Sequence, residues 1–200
     1  LFDDHSPLQL GATSQRQGVT FTLIGRLQYG YDGGTWNEWH ALFDNGRSAW
    51  LSEDNGAYVL AFDAPLPRDA PALDERLAAG QRVLADGRAW DVASVTRARL
   101  IAAQGELPAP PRLEGEFLVA DLRNAAGEVA TLDGSDPAAT HWSLGGSVLL
   151  AELRMQGLAE PREKTLGARA IECPGCGATL EPKLAATQSL VCAQCKAVVD

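Results

Sequence analysis

"VTFTLIGRLQYGYDGGTWNEWHALF", residues Val19 to Phe43, places two strand-like segments on either side of a glycine turn. Both segments are rich in β-branched and aromatic residues, which are enriched in β-strands. The turn Asp32-Gly33-Gly34 supplies residues that adopt positive φ at little cost, as tight hairpin turns require. The stretch therefore predicts a long β-hairpin.

The same alternation of turns and strands continues along the chain. Further turn signals are Asn45-Gly46, Asn55-Gly56 and Asp86-Gly87, and the last strand-like segment is "HWSLGGSVLL", residues 141–150. Short strands at hairpin spacing favour an all-β fold. The one helix candidate is "DAPALDERLAAG", residues 69–80, which has a capping Asp at its start and a Gly at its end.

Two parts of the sequence resemble each other. Leu8, Gly11 and Gly18 recur 69 residues later as Leu77, Gly80 and Gly87. Further on, "DNGRSAWL" resembles "AAGEVATL" at an offset of 81. The pattern predicts two related small β units, each a pseudo-duplicated hairpin or barrel-like sheet, at about residues 8–66 and 77–158; coincidence among common residues is the alternative. Glycines that recur in this way fit backbone positions with positive φ or a close approach of two chain segments.

The domain organisation follows from the composition. Residues 1–158 form a β-rich domain that contains both units. Residues 159–170 are charged and lack aromatic residues, as is typical of a linker. Residues 171–200 hold all the cysteines of the chain.

The cysteines are the strongest chemical signal in the sequence. They form two C-x2-C pairs with fifteen residues between them, the spacing of a zinc ribbon: Cys173, Cys176, Cys192 and Cys195. Four thiolates fill a tetrahedral shell and leave no position for water or substrate, so the zinc is expected to be structural. Iron in the same four-cysteine shell and disulfides are the alternatives.

Charge and hydropathy limit the partners. The chain has 26 acidic and 17 basic residues, a formal net charge of −9, and no dense basic run that would favour nucleic acid. No apolar run approaches the ~20 residues that span a bilayer, so we expect no membrane span. The chain begins with Leu1 and has no signal-peptide pattern, so we expect a fragment of a longer chain.

The hairpin also contains a candidate site. In extended form, Trp36, Glu38 and His40 share one face of the second strand, whereas Trp39 lies on the other face with small and aromatic residues. Trp39 is therefore predicted to be buried. Glu38 and His40 are either an acid–base pair or an ordinary pair on a half-exposed face. The possible binding groove comprises Trp36, Glu38, His40, Trp50 and Glu53.

Three motifs in residues 21–62 carry a family resemblance: Gly25-Arg26, Trp36-Asn37-Glu38-Trp39 and Trp50-Leu51-Ser52-Glu53. In combination they resemble the bacterial domain of unknown function family 4178, over about residues 8–158. The resemblance implies a bacterial protein that is cytoplasmic or, alternatively, membrane-peripheral, and in this family such a domain is often joined to a zinc ribbon. The family has no established activity, so the resemblance identifies a domain without explaining it.

The function predicted from the sequence is a non-enzymatic protein-interaction or assembly module with a structural zinc ribbon and an unidentified protein partner. One alternative is a small-ligand-binding or enzymatic groove around Trp36, Glu38 and His40. Another is a nucleic-acid adaptor that acts through the ribbon, which the acidic charge disfavours.

Overall fold

The computed structural model describes residues 6–112, 114–160, 171–172, 179–180, 190–191 and 198–199. The chain divides into two compact units, Leu1–Glu160 and Pro161–Asp200. The first unit is all-β, as predicted. The described strands of the second unit are two residues long and form two antiparallel pairs.

The first unit has ten strands and one short helix within its described residues. They are β1 (Thr13–Arg16), β2 (Val19–Tyr31), β3 (Gly34–Phe43), β4 (Ser48–Asp54), β5 (Ala57–Ala64), β6 (Arg82–Ala85), β7 (Arg88–Gly105), β8 (Phe117–Arg123), β9 (Glu128–Asp133), β10 (His141–Val148) and α1 (Leu150–Leu153).

Eight of these strands close into an antiparallel barrel. The strand order is β1-β2-β3-β4-β5-β10-β9-β8-β7-β6, and β2 also pairs with β7. The ring therefore runs from β2 through β5 to β10, back through β7, and returns to β2. Strands β1 and β6 lie outside the ring, each hydrogen-bonded to one long ring strand.

The closure joins two four-stranded meanders, β2–β5 and β7–β10. Each meander alone would expose two edges with unpaired backbone groups. The pairs β5–β10 and β2–β7 remove all four edges, with Leu60 opposite Gly146 in the first and Tyr29 opposite Leu100 in the second. The two units predicted from the sequence are thus halves of one closed sheet.

The two halves repeat each other in backbone detail. The Gly11 N–H donates to the Leu23 carbonyl at 2.8 Å, and the Gly80 N–H donates to the Val92 carbonyl at 2.8 Å. The two glycines have φ values of +85° and +86°, in the left-handed region that favours glycine. These are the positions that the 69-residue offset relates.

Each half has its own hydrophobic core on the same face of the sheet. The first core includes Phe21, Leu23 and Trp39, and the second includes Trp90 and Val92. Trp39 is 1% exposed, which confirms the burial predicted from strand alternation. We call this side of the sheet the core face and the opposite side the cavity face.

The helix predicted at residues 69–80 does not form; this segment consists of turns and irregular backbone. Leu77 is buried in the second core, and Gly80 donates to Val92. The segment therefore occupies the same place as residues 8–11 in the first half, where the chain must stay non-helical to reach the sheet. Local helix propensity is overridden by these tertiary contacts.

None of the helices within the described residues has the length and hydrophobicity that a membrane crossing requires.

Candidate functional site

All eight strands of the ring contribute residues to one cavity of about 610 Å³. A proline-rich segment, Leu107–Arg112, and the turn Ser135–Pro137 complete its lining. The volume lies within the ~300–1,000 Å³ that is usual for small-molecule sites. Eight-stranded barrels are just wide enough to hold one small ligand when their interior is not filled by side chains.

One wall of the cavity is aromatic and apolar. Leu27, Tyr29 and Leu100 form a small buried cluster that brings together β2 and β7 at the seam of the ring. The Tyr29 ring lies 5.1 Å from the Trp36 ring and 5.5 Å from the Phe117 ring, the latter edge-on. These packed rings hold the wall rigid and offer an apolar surface to a ligand.

Glu38 lies in the cavity with fixed partners. It sits on β3 directly opposite Ser52 on β4, and the Ser52 hydroxyl lies 2.7 Å from both carboxylate oxygens. The Trp36 indole N–H donates to Glu38 Oε1 at 3.0 Å. Two side chains thus fix the orientation of one acid that faces the cavity.

The environment raises the pKa of Glu38 to about 8. Burial among the walls is the main cause, because it disfavours the charged form, and the negative charges of Asp121 and Asp133 act in the same direction. The hydrogen bonds from Ser52 and Trp36 oppose the shift but do not cancel it. A carboxyl group with such a pKa exchanges its proton near neutral pH.

Further acids and hydroxyls lie on the β7–β10 side. Asp121 accepts hydrogen bonds from Thr131 Oγ1 at 2.8 Å and from Ser94 Oγ at 3.2 Å. Asp133 lines the cavity and, together with Glu38, helps burial to raise the pKa of Tyr29 above its usual range. Asp133 of the second half thus contributes to the raised pKa of both Glu38 and Tyr29 in the first half.

The proline-rich segment is held against the cavity face by two contacts. A Cβ atom at Gly25 would overlap the Glu106 carbonyl oxygen, so only glycine allows this close approach. His40 Nδ1 lies 2.9 Å from the same oxygen. Since a carbonyl oxygen can only accept, His40 carries its proton on Nδ1, and Nε2 accepts from the Ser48 hydroxyl at 2.9 Å in the neutral ring. His40 therefore positions the segment.

The structure brings some of the predicted groove residues together and separates others. Glu38 and Trp50 line the cavity. Trp36 lies beside it, stacked on Tyr29 and bonded to Glu38. The His40 ring is 5.3 Å from the Trp50 ring, but its two nitrogens contact Glu106 and Ser48, so Glu38 and His40 are not an acid–base pair.

Glu53 points away from the cavity, to the core face. Its carboxylate accepts from Trp39 Nε1 at 3.0 Å, Asn37 Nδ2 at 3.2 Å and the Tyr58 hydroxyl at 3.2 Å, and the Ser6 hydroxyl also contacts it. The Arg26 guanidinium lies 4.6 Å from the centre of the Trp39 ring and donates to Asn37. The motif residues Arg26, Trp39 and Glu53 thus form a buried structural network.

Four important lining residues were not predicted: Tyr29, Leu100, Phe117 and Asp133. Alternation along each strand places them correctly once the register is known, but the register across β2–β7 joins segments about 70 residues apart. The one available signal was the internal repeat, which suggests that the second half supplies counterparts to the first.

The predicted metal ligands lie outside the described residues. Within the described ranges, no group of three or more His, Cys, Asp or Glu side chains could hold a metal ion.

A family model described as a domain of unknown function, DUF4178, matches residues 9–149. The chain belongs to the DUF4178 family. This confirms the family predicted from the three motifs. No curated protein and no solved structure matched the chain.

The DUF4178 range and the barrel coincide closely. The match contains all eight ring strands, from the start of β2 to the end of β10. Every described residue that lines the cavity also falls within it. The cavity, as its described lining residues define it, is therefore a feature of the family domain.

Proposed function

We propose that the DUF4178 domain of this chain binds a small, partly apolar molecule inside the β ring. The observation that carries the proposal is the cavity of about 610 Å³ to which all eight strands contribute. It combines an apolar wall with a few oriented polar groups, the usual composition of a small-molecule site.

The interior supports this proposal because its side chains leave space where a packed barrel would be filled. The large buried side chains Trp39 and Trp90 belong to the two cores on the core face and do not line the cavity. The cavity face instead presents small or polar residues at several inward positions, including Ser52, Ala61 and Ser143. Space inside a barrel is costly for stability unless something occupies it.

Filling the cavity tests the proposal. The probe is N-phenyl-1-naphthylamine, a neutral apolar dye whose fluorescence rises when it leaves water. We expect saturable binding at one site per chain. Ala61→Phe, which adds a ring at the cavity lining, should lower the affinity by at least about tenfold, because it removes space that the ligand needs.

Ala57→Phe is the matched control, because Ala57 lies on the same strand but is exposed and does not line the cavity. It should bind the dye like the parent. Equal binding by the parent and both variants, or no binding by the parent, would contradict the proposal.

We also propose that Cys173, Cys176, Cys192 and Cys195 bind one structural zinc ion. The described residues around them support this. β11 (Ile171–Glu172) pairs with β12 (Thr179–Leu180), and β13 (Leu190–Val191) pairs with β14 (Val198–Val199). Each C-x2-C pair therefore lies in the connection between two paired strands, as in a zinc ribbon.

Metal analysis tests the zinc proposal. We expect one zinc per chain, and we expect Cys176→Ser to release it and to unfold residues 171–200 while the melting of the barrel stays unchanged, because a unit this small depends on its metal. Purified protein without zinc, or with iron in its place, would refute this assignment.

A protein-interaction role in the bacterial cytoplasm, with an unidentified protein partner, stays a prediction from the sequence and the resemblance. Capture experiments with the full-length parent protein test it independently of the cavity.

A further inference from the structure

The charges around the cavity are predominantly negative. Four of the described lining residues are carboxylic acids: Glu38, Asp63, Asp133 and Asp136. Among the described lining residues, Arg112 is the one Arg or Lys, and it is exposed on the proline-rich segment. His141 also lines the cavity, and its Nε2 lies 3.5 Å from Asp136, so these two groups partly offset each other. An anionic ligand would still lie near the other three acids, Glu38, Asp63 and Asp133.

The partners of Glu38 leave it able to accept more hydrogen bonds. An indole N–H can only donate, so the Oε1 atom that Trp36 reaches acts as an acceptor. Ser52 supplies one hydroxyl shared between both oxygens. A carboxylate has about four acceptor positions, so positions remain for a donor that enters the cavity.

The aromatic wall lies beside these acids. Tyr29, Trp50 and Phe117 line the same cavity as Glu38 and Asp133. Trp36, whose ring lies 5.1 Å from that of Tyr29, donates to Glu38. Aromatic faces attract cations, most strongly where water is excluded. Acids next to aromatic rings therefore suit a molecule with a positive charge and an apolar body, and they favour it over neutral or anionic molecules of the same shape.

We propose that the cavity selects a small organic cation, an amine whose ammonium group lies against Glu38 and Asp133 and whose apolar part packs against Tyr29, Trp50 and Phe117. This ligand class rests on the proposed function. The ammonium group offsets the negative charge of Asp133 and favours the ionised form of Glu38, so its charge contributes to affinity beyond the burial of its apolar part.

A matched series of probes tests the ligand class by calorimetry. Phenethylamine is cationic at neutral pH, 2-phenylethanol is neutral, and 3-phenylpropionate is anionic, with nearly the same size and ring. We expect the amine to bind at least about tenfold more tightly than the alcohol, a difference typical of a hydrogen bond to a charged group, and the acid to bind least. Equal binding of the amine and the alcohol would overturn the proposal.

Variants of Glu38 and Asp133 test whether these acids cause the preference for the amine. Glu38→Gln keeps the size of the side chain and should weaken binding of the amine by about tenfold and that of the alcohol clearly less. Asp133→Asn provides a second test if Glu38→Gln does not fold, and Glu152→Gln, an exposed acid outside the cavity, is the control. Unchanged amine affinity in the folded acid variants would exclude the assigned contacts.

Binding of the amine should also change the number of protons bound by the protein. At neutral pH its binding should release close to one proton from Glu38, visible as a dependence of the calorimetric heat on the ionisation enthalpy of the buffer, and Glu38→Gln should abolish it. If the neutral dye binds but the amine shows no preference, only the ligand class fails. If the dye does not bind either, the proposed function fails with it.

Discussion

Trp39 and Glu38 are neighbours in sequence and lie on opposite faces of β3, with different roles. Trp39 is buried in the first core, and its indole N–H donates a hydrogen bond to the Glu53 carboxylate. Glu38 faces the cavity beside Ser52. Alternation within one strand thus separates a residue that stabilises the sheet from one that the cavity can use.

Trp39→Ala is expected to lower the free energy of unfolding by roughly 3–5 kcal/mol, the range for removing a large side chain from a packed core. It also removes the donor to Glu53 and the ring beneath Arg26. Urea denaturation monitored by circular dichroism measures the loss.

Trp36→Ala is the comparison for this prediction, because Trp36 is the same residue type on the same strand but only half-buried. We expect a clearly smaller loss. If Trp39→Ala unfolds like the parent, the two faces of β3 are assigned the wrong way round.

The raised pKa of Glu38 predicts that the free energy of unfolding depends on pH. Its pKa is about 8 in the folded protein against an ordinary value of 4.5. Below the ordinary value both states hold the proton. Between the two values only the folded state holds it, so the free energy of unfolding falls as pH rises through this window, and above pH 8 the effect is complete.

Gln does not titrate, so Glu38→Gln should gain stability relative to the parent as pH rises. We expect a change of about 2 kcal/mol between about pH 5 and pH 8, since one pKa unit corresponds to about 1.4 kcal/mol and water in the cavity reduces the full effect. Urea titrations at several pH values measure it, with Glu152→Gln as the exposed control. If the difference in the free energy of unfolding between Glu38→Gln and the parent does not change with pH, the pKa of Glu38 is not raised by folding.

The strands were predictable because several local signals agree along each one. Glycine turns bound segments of strand length, and alternation placed Trp39 inside. The failed helix at residues 69–80 shows where local signals stop: Leu77 and Gly80 are placed by contacts with the second core and with Val92, which the segment itself does not encode. The proline-rich segment beyond β7 is similar, since its position depends on Gly25 in a strand far away in sequence.

Gly25 provides a test of how the proline-rich segment is held. In Gly25→Ala the new methyl group would overlap the Glu106 carbonyl oxygen and lie 2.9 Å from Leu107 Cδ2, so the segment must shift. We expect a loss of about 1–3 kcal/mol in the free energy of unfolding, typical of overpacking, together with weaker binding of the apolar dye.

Gly30→Ala is the matched control on the same strand, because its nearest contact would be Cγ2 of the exposed Ile101 side chain at 3.3 Å, not a backbone atom. It should lose less stability and retain dye binding. Equal effects of the two substitutions would show that the segment does not depend on the close approach at Gly25.

At the scale of the whole molecule, the sequence predicted two related β units but not that their strands pair to close one ring. Local patterns determine hairpins within β2–β5 and within β7–β10. The closing pairs β5–β10 and β2–β7 depend on which free edges meet in three dimensions. The cavity exists only because of this closure, and for that reason the predicted groove contained Glu38 and Trp50 but none of the residues on the other side of the ring.

The most direct test of an enclosed ligand site is to observe both halves of the ring respond to one ligand at the seam where they join. Leu27 on β2 and Leu100 on β7 both line the cavity, whereas Leu84 and Leu149 are exposed large apolar residues outside it. Methyl NMR spectra of leucine-labelled protein, titrated with N-phenyl-1-naphthylamine, report on all four. We predict that the Leu27 and Leu100 methyl signals shift together with one dissociation constant, through the ring currents of the bound dye, while those of Leu84 and Leu149 do not move. Shifts confined to Leu84 or Leu149, with Leu27 and Leu100 unchanged, would contradict a ligand site inside the ring.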